Sequence, residues 1–388
     1  MPMKIGLVAG ESSGDLLGAG LIEAIRKRIP DANFEGVAGP AMLTAGCEQW
    51  EPADSLAVMG LVEPLAHIPR LLRLRRSLVR RWREAPPDVF IGIDAPDFNL
   101  GLEKQLRSGG IPTAHYVSPS IWAWRAGRAK KVATAADVVL CILPFEALLY
   151  AEHDIDAVFV GHPKADAAPA LVDTAAARRA LDIGDGEVVA ILPGSRQGEV
   201  AHLGDILANT AQRLIAARPG IRFVTPVATP SLRALIELRL NAAGVAEHFL
   251  LLDGDAQTAM MAADLVLLAS GTAALEAALL CKPIVAVYRM AALTAALVRG
   301  LRLVKLTHFT LPNLMTPQPL VPEFIQDNAH PDAIAAAVVE LLDDPDRMRF
   351  ISDEFAKLKA ELALDADQRA AEAVLGLAQS TEGRIADQ

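Results

Sequence analysis

Short apolar runs alternate with longer helical patterns along this chain, and that alternation limits the folds open to it. Candidate strands lie at Lys4–Ala9, Asn33–Val37, Val89–Ile93, Thr113–Val117, Val138–Ile142 and Val158–Val160. A second series lies at Val188–Leu192, Arg222–Pro226, Phe249–Leu252, Leu265–Leu268 and Ile284–Val287. Strand, helix, strand repeated in this way is the pattern of a parallel sheet covered on both faces, whose strands read as continuous apolar runs. The pattern occurs twice, with a break from Gly161-His162-Pro163 to Pro169. The expected fold is α/β: two Rossmann-like doubly wound parallel-sheet domains facing across a cleft. The expected boundaries are 1–165, 166–345 and a C-terminal helical segment, 346–388, that can pack back on the first domain.

Bulk properties exclude several classes. The formal net charge is −10, so nucleic acid is not the expected partner. Cys47, Cys141 and Cys281 are far apart and have no metal-ligand spacing, as suits a reducing compartment. The first candidate strand begins almost at Met1, so no signal peptide is expected. Mean hydropathy is high, at +0.29. Yet the richest stretch, Ala259 to Cys281, carries Asp264 and Glu276 and is broken by Ser270-Gly271-Thr272, so it does not read as a membrane span.

In doubly wound sheets, ligands bind beyond the carboxyl ends of the strands. The loop "VAGESSGDLLGAG", Val8 to Gly20, follows the first strand and precedes a helical pattern from Leu16 to Ile29. Its glycines at 10, 14 and 18 do not make the G-x-G-x-x-G fingerprint of dinucleotides. "ILPGSRQGEV" opens the second series. There Gly194 permits close backbone approach, Ser195 offers a hydroxyl and Arg196 a bidentate fork for phosphate. A surface turn with a solvated arginine is the bland alternative. In "LLASGTAALEAALLCKP", Ser270-Gly271-Thr272 opens a helix whose amino end attracts anions. Glu276, four residues on, can accept hydrogen bonds from a ribose diol or simply compensate the helix dipole. Arg196 with the Ser-Gly-Thr turn would make a metal-free diphosphate clamp.

"DVFIGIDAPDFNL" puts Asp94 at a strand end and Asp97 after Pro96. Asp94 suits a general base, whereas Asp97 suits a turn or cap. "HYVSPSIWAWR" clusters His115, Ser118, Ser120, Trp122, Trp124 and Arg125 after the next strand, for sugar or acyl binding or for packing. Asp253-Gly254-Asp255 reads as a turn rather than as a D-x-D metal motif. No metal and no cofactor are expected. "PRLLRLRRSLVRRWR", Pro69 to Arg83, is basic and amphipathic within an acidic chain. Arg73, Arg76, Arg80 and Trp82 are its expected membrane-facing residues, a solvated face being the alternative. Leu297 to Lys305 is a weaker stretch of the same kind.

Taken together, "AGESSGDLLGAGL", "GVAGPAM", "LAVMGLVE", "VFIGIDAPDFN", "HYVSPSIWAWR", "LPFE", "LPGSR", "ASGTAALE" and "LPNLM" resemble the lipid-A-disaccharide synthases, in family order across most of the chain. The resemblance implies a GT-B-type inverting glycosyltransferase. It would join UDP-2,3-diacylglucosamine to 2,3-diacylglucosamine 1-phosphate, releasing UDP. It implies Asp94 as the essential acid and Arg196 as the diphosphate ligand. Gly194, Ser195, Ser270, Gly271, Thr272, Glu276, Tyr288 and Asn313 would stand around the donor, and Gly10, Ser12, Ser13, Gly14 and Asp15 would form a loop for the acceptor sugar. It also implies a cytoplasmic protein peripheral to the anionic inner-membrane surface of a Gram-negative bacterium, and it is compatible with a homodimer. A UDP-sugar epimerase of the same design is the enzyme alternative. A dinucleotide-dependent oxidoreductase and a non-catalytic membrane-associated nucleotide-binding module are the others.

Overall fold

The computed structural model describes residues 2–56, 64–119, 127–151, 155–289 and 308–386. The chain divides into two compact units, Met1–Asp166 with Leu362–Gln388, and Ala167–Glu361. Both are three-layered α/β units, and all of the strand pairs are parallel.

The first unit holds β1 (Lys4–Ala9), β2 (Asn33–Ala38), β3 (Glu48–Pro52), β4 (Val89–Ile93), β5 (Thr113–Tyr116), β6 (Val138–Cys141) and β7 (Ala157–Phe159). Their spatial order is β3-β2-β1-β4-β5-β6-β7. Winding therefore reverses between β1 and β4, where Ala9 stands opposite Ile93. α1 (Ser12–Arg28) follows β1, α2 (Pro40–Thr44) follows β2, α3 (Pro64–Glu84) precedes β4, and α4 (Pro96–Arg107) follows it. One face of the sheet buries Ile5, Leu7, Ile91 and Ile93 with Leu21, Ile22 and Ile25 of α1. The other buries Val8 and Phe90 with Leu78, Val79 and Trp82 of α3 and Leu102 and Leu106 of α4.

The second unit holds β8 (Val188–Leu192), β9 (Arg222–Val227), β10 (Phe249–Asp253), β11 (Leu265–Ala269), β12 (Ile284–Tyr288) and β13 (Glu323–Ile325). Their order is β10-β9-β8-β11-β12-β13, so winding reverses between β8 and β11. The central strands β8 and β11 are buried throughout. β3 and β13 are edge strands without a continuous apolar run, so the sequence pattern does not disclose them.

The C-terminal helices do not form one segment from 346 to 388. The helix Pro345–Leu362 belongs to the second unit as far as Glu361, because Ile351 and Phe355 are buried in that unit's core. Only the helix Ala366–Ala386 joins the first unit, where Ala370, Ala371 and Val374 pack on its core. The chain turns between these helices with the Asp166 carboxylate accepting hydrogen bonds from the N–H groups of Asp365 (2.9 Å) and Ala366 (2.7 Å).

Trp82 is not a membrane-facing residue. It is fully buried, its ring centroid is 5.0 Å from that of Trp50 and 4.9 Å from that of Phe90, and its indole N–H donates to Glu35 at 3.1 Å. Its spacing from Leu78 and Val79 puts it on the inward stripe of α3. Arg73, Arg76 and Arg80 lie on the exposed side with Ile68 and Leu72. Of the flanking arginines, Arg75 donates to the Asp97 carbonyl at 2.9 Å, and Arg81 lies 3.5 Å over the Trp50 ring. The stretch Leu297–Lys305, the residues Ser120, Trp122, Trp124 and Arg125, and most of "LAVMGLVE" lie outside the described residues.

Candidate functional site

Both winding reversals put neighbouring loops at the carboxyl edge of a sheet, where ligands bind in doubly wound folds. In the first unit these are the loop after β1 and the loop after β4. Gly10 and Glu11 lead straight into α1, which begins at Ser12 rather than at Leu16. Ser12 and Ser13 are exposed and no side chain caps the helix. Gly10 is fixed by its neighbour: a Cβ there would stand 2.6 Å from the Cβ of Ala95. Gly14 is buried under the loop.

Asp15 does not face a ligand. It is 4% exposed, and its carboxylate accepts hydrogen bonds from the N–H groups of Gly39 (2.9 Å), Ala41 (2.8 Å) and Met42 (3.0 Å). It caps α2 from a distance, as a carboxylate at a helix amino end should. Gly39 answers it, since a Cβ there would lie 2.5 Å from the Asp15 carboxyl carbon.

The Asp94 turn carries unusual backbone geometry. Asp94 (φ 51°) and Ala95 (φ 43°) are consecutive non-glycine residues in the left-handed region, and Val117 after β5 has φ 76°. Such conformations cost on the order of 1–3 kcal/mol each and cluster at functional sites. The Asp94 N–H donates to the Tyr116 carbonyl at 2.8 Å, tying the ends of β4 and β5 together. Asp94 is half-buried, and Asp97 is exposed in the first turn of α4. His115 and Ser118 do not lie on an open loop. His115 is within β5, fully buried, with Nδ1 2.7 Å from Glu103 Oε1; the buried Ser118 hydroxyl is 3.0 Å from that of Tyr150. Burial pushes the Glu103 carboxyl above its ordinary range, and His115 opposes that shift. Asn99, Glu103 and the role of Gly92 are absent from the sequence reading; polar residues on the inward stripe of α4 are the signal that could have found them.

In the second unit the corresponding loops follow β8 and β11. Gly194 has φ 111°, and a Cβ there would lie 2.4 Å from Glu199 Oε2. That oxygen accepts hydrogen bonds from the N–H groups of Ser195 (3.0 Å) and Arg196 (3.3 Å). The loop's own backbone donors are therefore engaged. The exposed Ser195 hydroxyl and the Arg196 side chain, 81% exposed, are its outward groups. After β11, Gly271 is extended, no side chain caps the helix Thr272–Leu279, and Gly271 and Thr272 are exposed. The Ser270 N–H donates to the Val287 carbonyl at 2.8 Å, joining this turn to the end of β12 beside the half-buried Tyr288. Glu276 is half-buried one turn into the helix.

Asn313 is not an open donor-binding group. It is 5% exposed; its amide donates to the Val321 carbonyl (2.8 Å) and Glu323 (3.0 Å), and its oxygen accepts from the N–H groups of Leu320 (2.8 Å) and Val321 (2.9 Å). Its full engagement makes it the anchor of the segment leading to β13. Asp253-Gly254-Asp255 is a turn: Gly254 has φ 72°, Asp255 caps the next helix through Thr258 N–H at 3.0 Å, and Asp253 is paired with Arg233 at 2.7 Å. Among the described residues, no group of three or more His, Cys, Asp and Glu side chains is arranged to hold a metal.

Two Rossmann-like units in one chain define a glycosyltransferase-type fold. A solved UDP-GlcNAc 2-epimerase from Neisseria meningitidis, bound to UDP-GlcNAc, matches with a TM-score of 0.61 at 14% identity, over 96% of this chain and 99% of that one. A sucrose-phosphate synthase from Thermosynechococcus elongatus matches with a TM-score of 0.57 at 14% identity, over 100% of both chains. At that identity the likeness concerns the fold alone. Sequence goes further. The family model for lipid-A-disaccharide synthetase matches residues 5–375. The lipid-A-disaccharide synthase of Alkalilimnicola ehrlichii is 50% identical over 379 residues, covering 97% of this chain and 99% of that one. The chain belongs to the lipid-A-disaccharide synthase family, and its activity is a glycosyl transfer in lipid A biosynthesis.

The Asp15 geometry sets an expectation. Asp15→Ala removes a charged acceptor of backbone hydrogen bonds, each worth about 1.5–3 kcal/mol. The variant should lose at least about 2 kcal/mol of stability, read as a lower Tm, while UDP binding by the folded fraction is unchanged.

Proposed function

We propose that the protein joins UDP-2,3-diacylglucosamine to 2,3-diacylglucosamine 1-phosphate, with inversion at the donor's anomeric carbon, giving lipid A disaccharide 1-phosphate and UDP. The observation that carries this reading is Asp94, a carboxylate held at a winding reversal in a strained turn. Asp94 takes the proton from the acceptor 6-hydroxyl as that oxygen bonds to the anomeric carbon. The bond from that carbon to the diphosphate oxygen breaks, and UDP leaves with the electron pair.

The second unit supplies leaving-group stabilisation. Arg196 and Ser195 offer side-chain donors, and the amino end of the helix Thr272–Leu279 offers unpaired N–H groups and positive potential. Glu276 and Tyr288 are assigned to the nucleoside end of the donor. Ser12 and Ser13, at the uncapped start of α1, are assigned to the acceptor sugar or its phosphate.

The exposed face of α3 is assigned to an anionic inner-membrane surface. Ile68 and Leu72 supply apolar contact, and Arg73, Arg76 and Arg80 carry no ion pair among the described residues. No described helix is long and apolar enough to cross a membrane. A UDP-sugar epimerase of this design shares the fold, as the Neisseria likeness illustrates. UDP release that requires the acylated acceptor separates transfer from epimerisation.

Asp94→Asn keeps the side chain's shape but cannot accept the proton. Turnover should fall by about 10²–10⁴-fold with Tm and UDP affinity retained, while Asp97→Asn costs far less. Near-normal turnover in Asp94→Asn would remove the base assignment. Arg196→Ala should weaken UDP binding by roughly 10- to 100-fold, the worth of a charged hydrogen bond, measured by calorimetric titration; unchanged affinity would reject Arg196 as a ligand. Replacing Arg73, Arg76 and Arg80 together by Ser should release the protein from anionic vesicles, most visibly at low salt, since each is worth about 1 kcal/mol at such a surface. Sedimentation unaffected by the triple change would assign that face to solvent.

A further inference from the structure

We propose that Asn99 is a positioning residue that locks the Asp94 turn to the end of β1, so that the base and the acceptor loop form one rigid body. The proposal rests on the general-base reading of Asp94.

Asn99 lies in the first turns of α4 and is fully buried. Its amide Nδ2 is 2.8 Å from the Asp94 carbonyl, 3.3 Å from that of Ile93 and 3.3 Å from that of Val8. One side chain thus reaches the last peptides of β4 and β1, the strands on either side of the winding reversal. Asp94 and Ala95 hold left-handed backbone angles that alanine in particular disfavours, so the surroundings must impose them. The Asn99 amide fixes the Asp94 carbonyl on one side of the peptide chain; the Tyr116 carbonyl fixes the Asp94 N–H on the other. The Ala95 side chain then takes the space that a side chain on Gly10 would need. A carboxylate on such a turn keeps its place without reorganising during the reaction.

A second buried polar group lies on the same face of α4 as Asn99. Glu103, one helical turn on, is fully buried and meets the fully buried His115 of β5 at 2.7 Å. His115 stands in register with Gly92 of β4. A Cβ at Gly92 would lie 2.0 Å from Glu103 Oε1 and 2.9 Å from the Asn99 Cβ. The missing side chain of Gly92 is therefore the slot into which α4 sets both residues. A polar pair fully buried beneath the sheet is costly unless satisfied, yet Asn99 Oδ1, Glu103 Oε2 and His115 Nε2 have no hydrogen-bond partner. An all-apolar packing would avoid that cost, and the bond from Asn99 to the Asp94 carbonyl gives the burial of Asn99 a use.

The test is a double-mutant cycle on the full chain with synthetic donor and acceptor. Asn99→Ala should lower kcat by roughly 10- to 100-fold, the range for a small misplacement of a reacting group. KM values and UDP affinity should change little. In the Asp94→Asn background the same change should lower the residual rate by less than about 2-fold, because positioning matters only for a base that is present. Asn99→Asp gives a second readout that survives if the alanine variant folds poorly. Its protonated carboxyl can donate to the Asp94 carbonyl, whereas its ionised form meets carbonyl oxygens with no donor. The ratio of its kcat to that of the unaltered protein should therefore fall as pH rises, with Tm followed at each pH. Independent, multiplicative losses in the cycle, or a ratio flat with pH, overturn the proposal while leaving the base assignment intact. Near-normal turnover of Asp94→Asn removes both.

Discussion

The reversal of winding in each parallel sheet is the constraint on which the rest depends. Crossovers to one side of β1 or β8 run in the opposite sense from those on the other, so the connections leaving the central pair of strands diverge. That divergence opens a crevice at the carboxyl edge of the sheet. Parallel strands also send each connection on into a helix amino end, which carries unpaired N–H groups and positive potential. A chain that builds this architecture twice has two such strand-end crevices lined by helix amino ends before any special side chain is chosen.

What the side chains add differs between the units. In the first, the device is backbone strain held by buried polar groups: the left-handed pair Asp94-Ala95 is clamped by Asn99 and by the end of β5. Left-handed backbone costs about 1–2 kcal/mol per ordinary residue, so it persists only where neighbours over-determine it. Gly10 and Gly92 are two such determinants, each a place where another residue occupies the volume a Cβ would need. Glycine in a central strand ordinarily weakens packing, and at Gly92 that weakness makes room for Glu103.

The sequence discloses the strands because burial on both faces leaves an unbroken apolar signature, and it discloses the loops because strand ends locate them. It does not disclose where a polar side chain in such a loop turns. Asp15, Trp82 and Asn313 are each of a type that binds ligands or membranes, and each faces inward: Asp15 and Trp82 toward partners distant in sequence, the amino end of α2 and Glu35, and Asn313 toward the turn that follows it, at Leu320 and Val321. Those partners exist only once the chain has folded. For Trp82 the helical period does carry the answer, because it continues the stripe of Leu78 and Val79. The edge strands β3, largely polar, and β13, only three residues long, are invisible for the opposite reason, since an edge demands little burial.

The two loops of the second unit assigned above to the donor are built by different means. After β8, Glu199 engages the N–H groups of Ser195 and Arg196 and thereby fixes the loop's shape. The same Glu199 lies 3.9 Å from the guanidinium of the exposed Arg196, so one carboxylate holds the loop's backbone and stands beside its full positive charge. After β11 no side chain caps the helix Thr272–Leu279, and Gly271 and Thr272 stand exposed, so the positive end of the dipole faces outward with no competing acceptor built in. Adjacent in register through β8 and β11, the pair combines a full charge with fixed dipoles. In the proposed reaction, the diphosphate's growing charge would meet the fixed dipoles of the helix end and the full charge of Arg196 together.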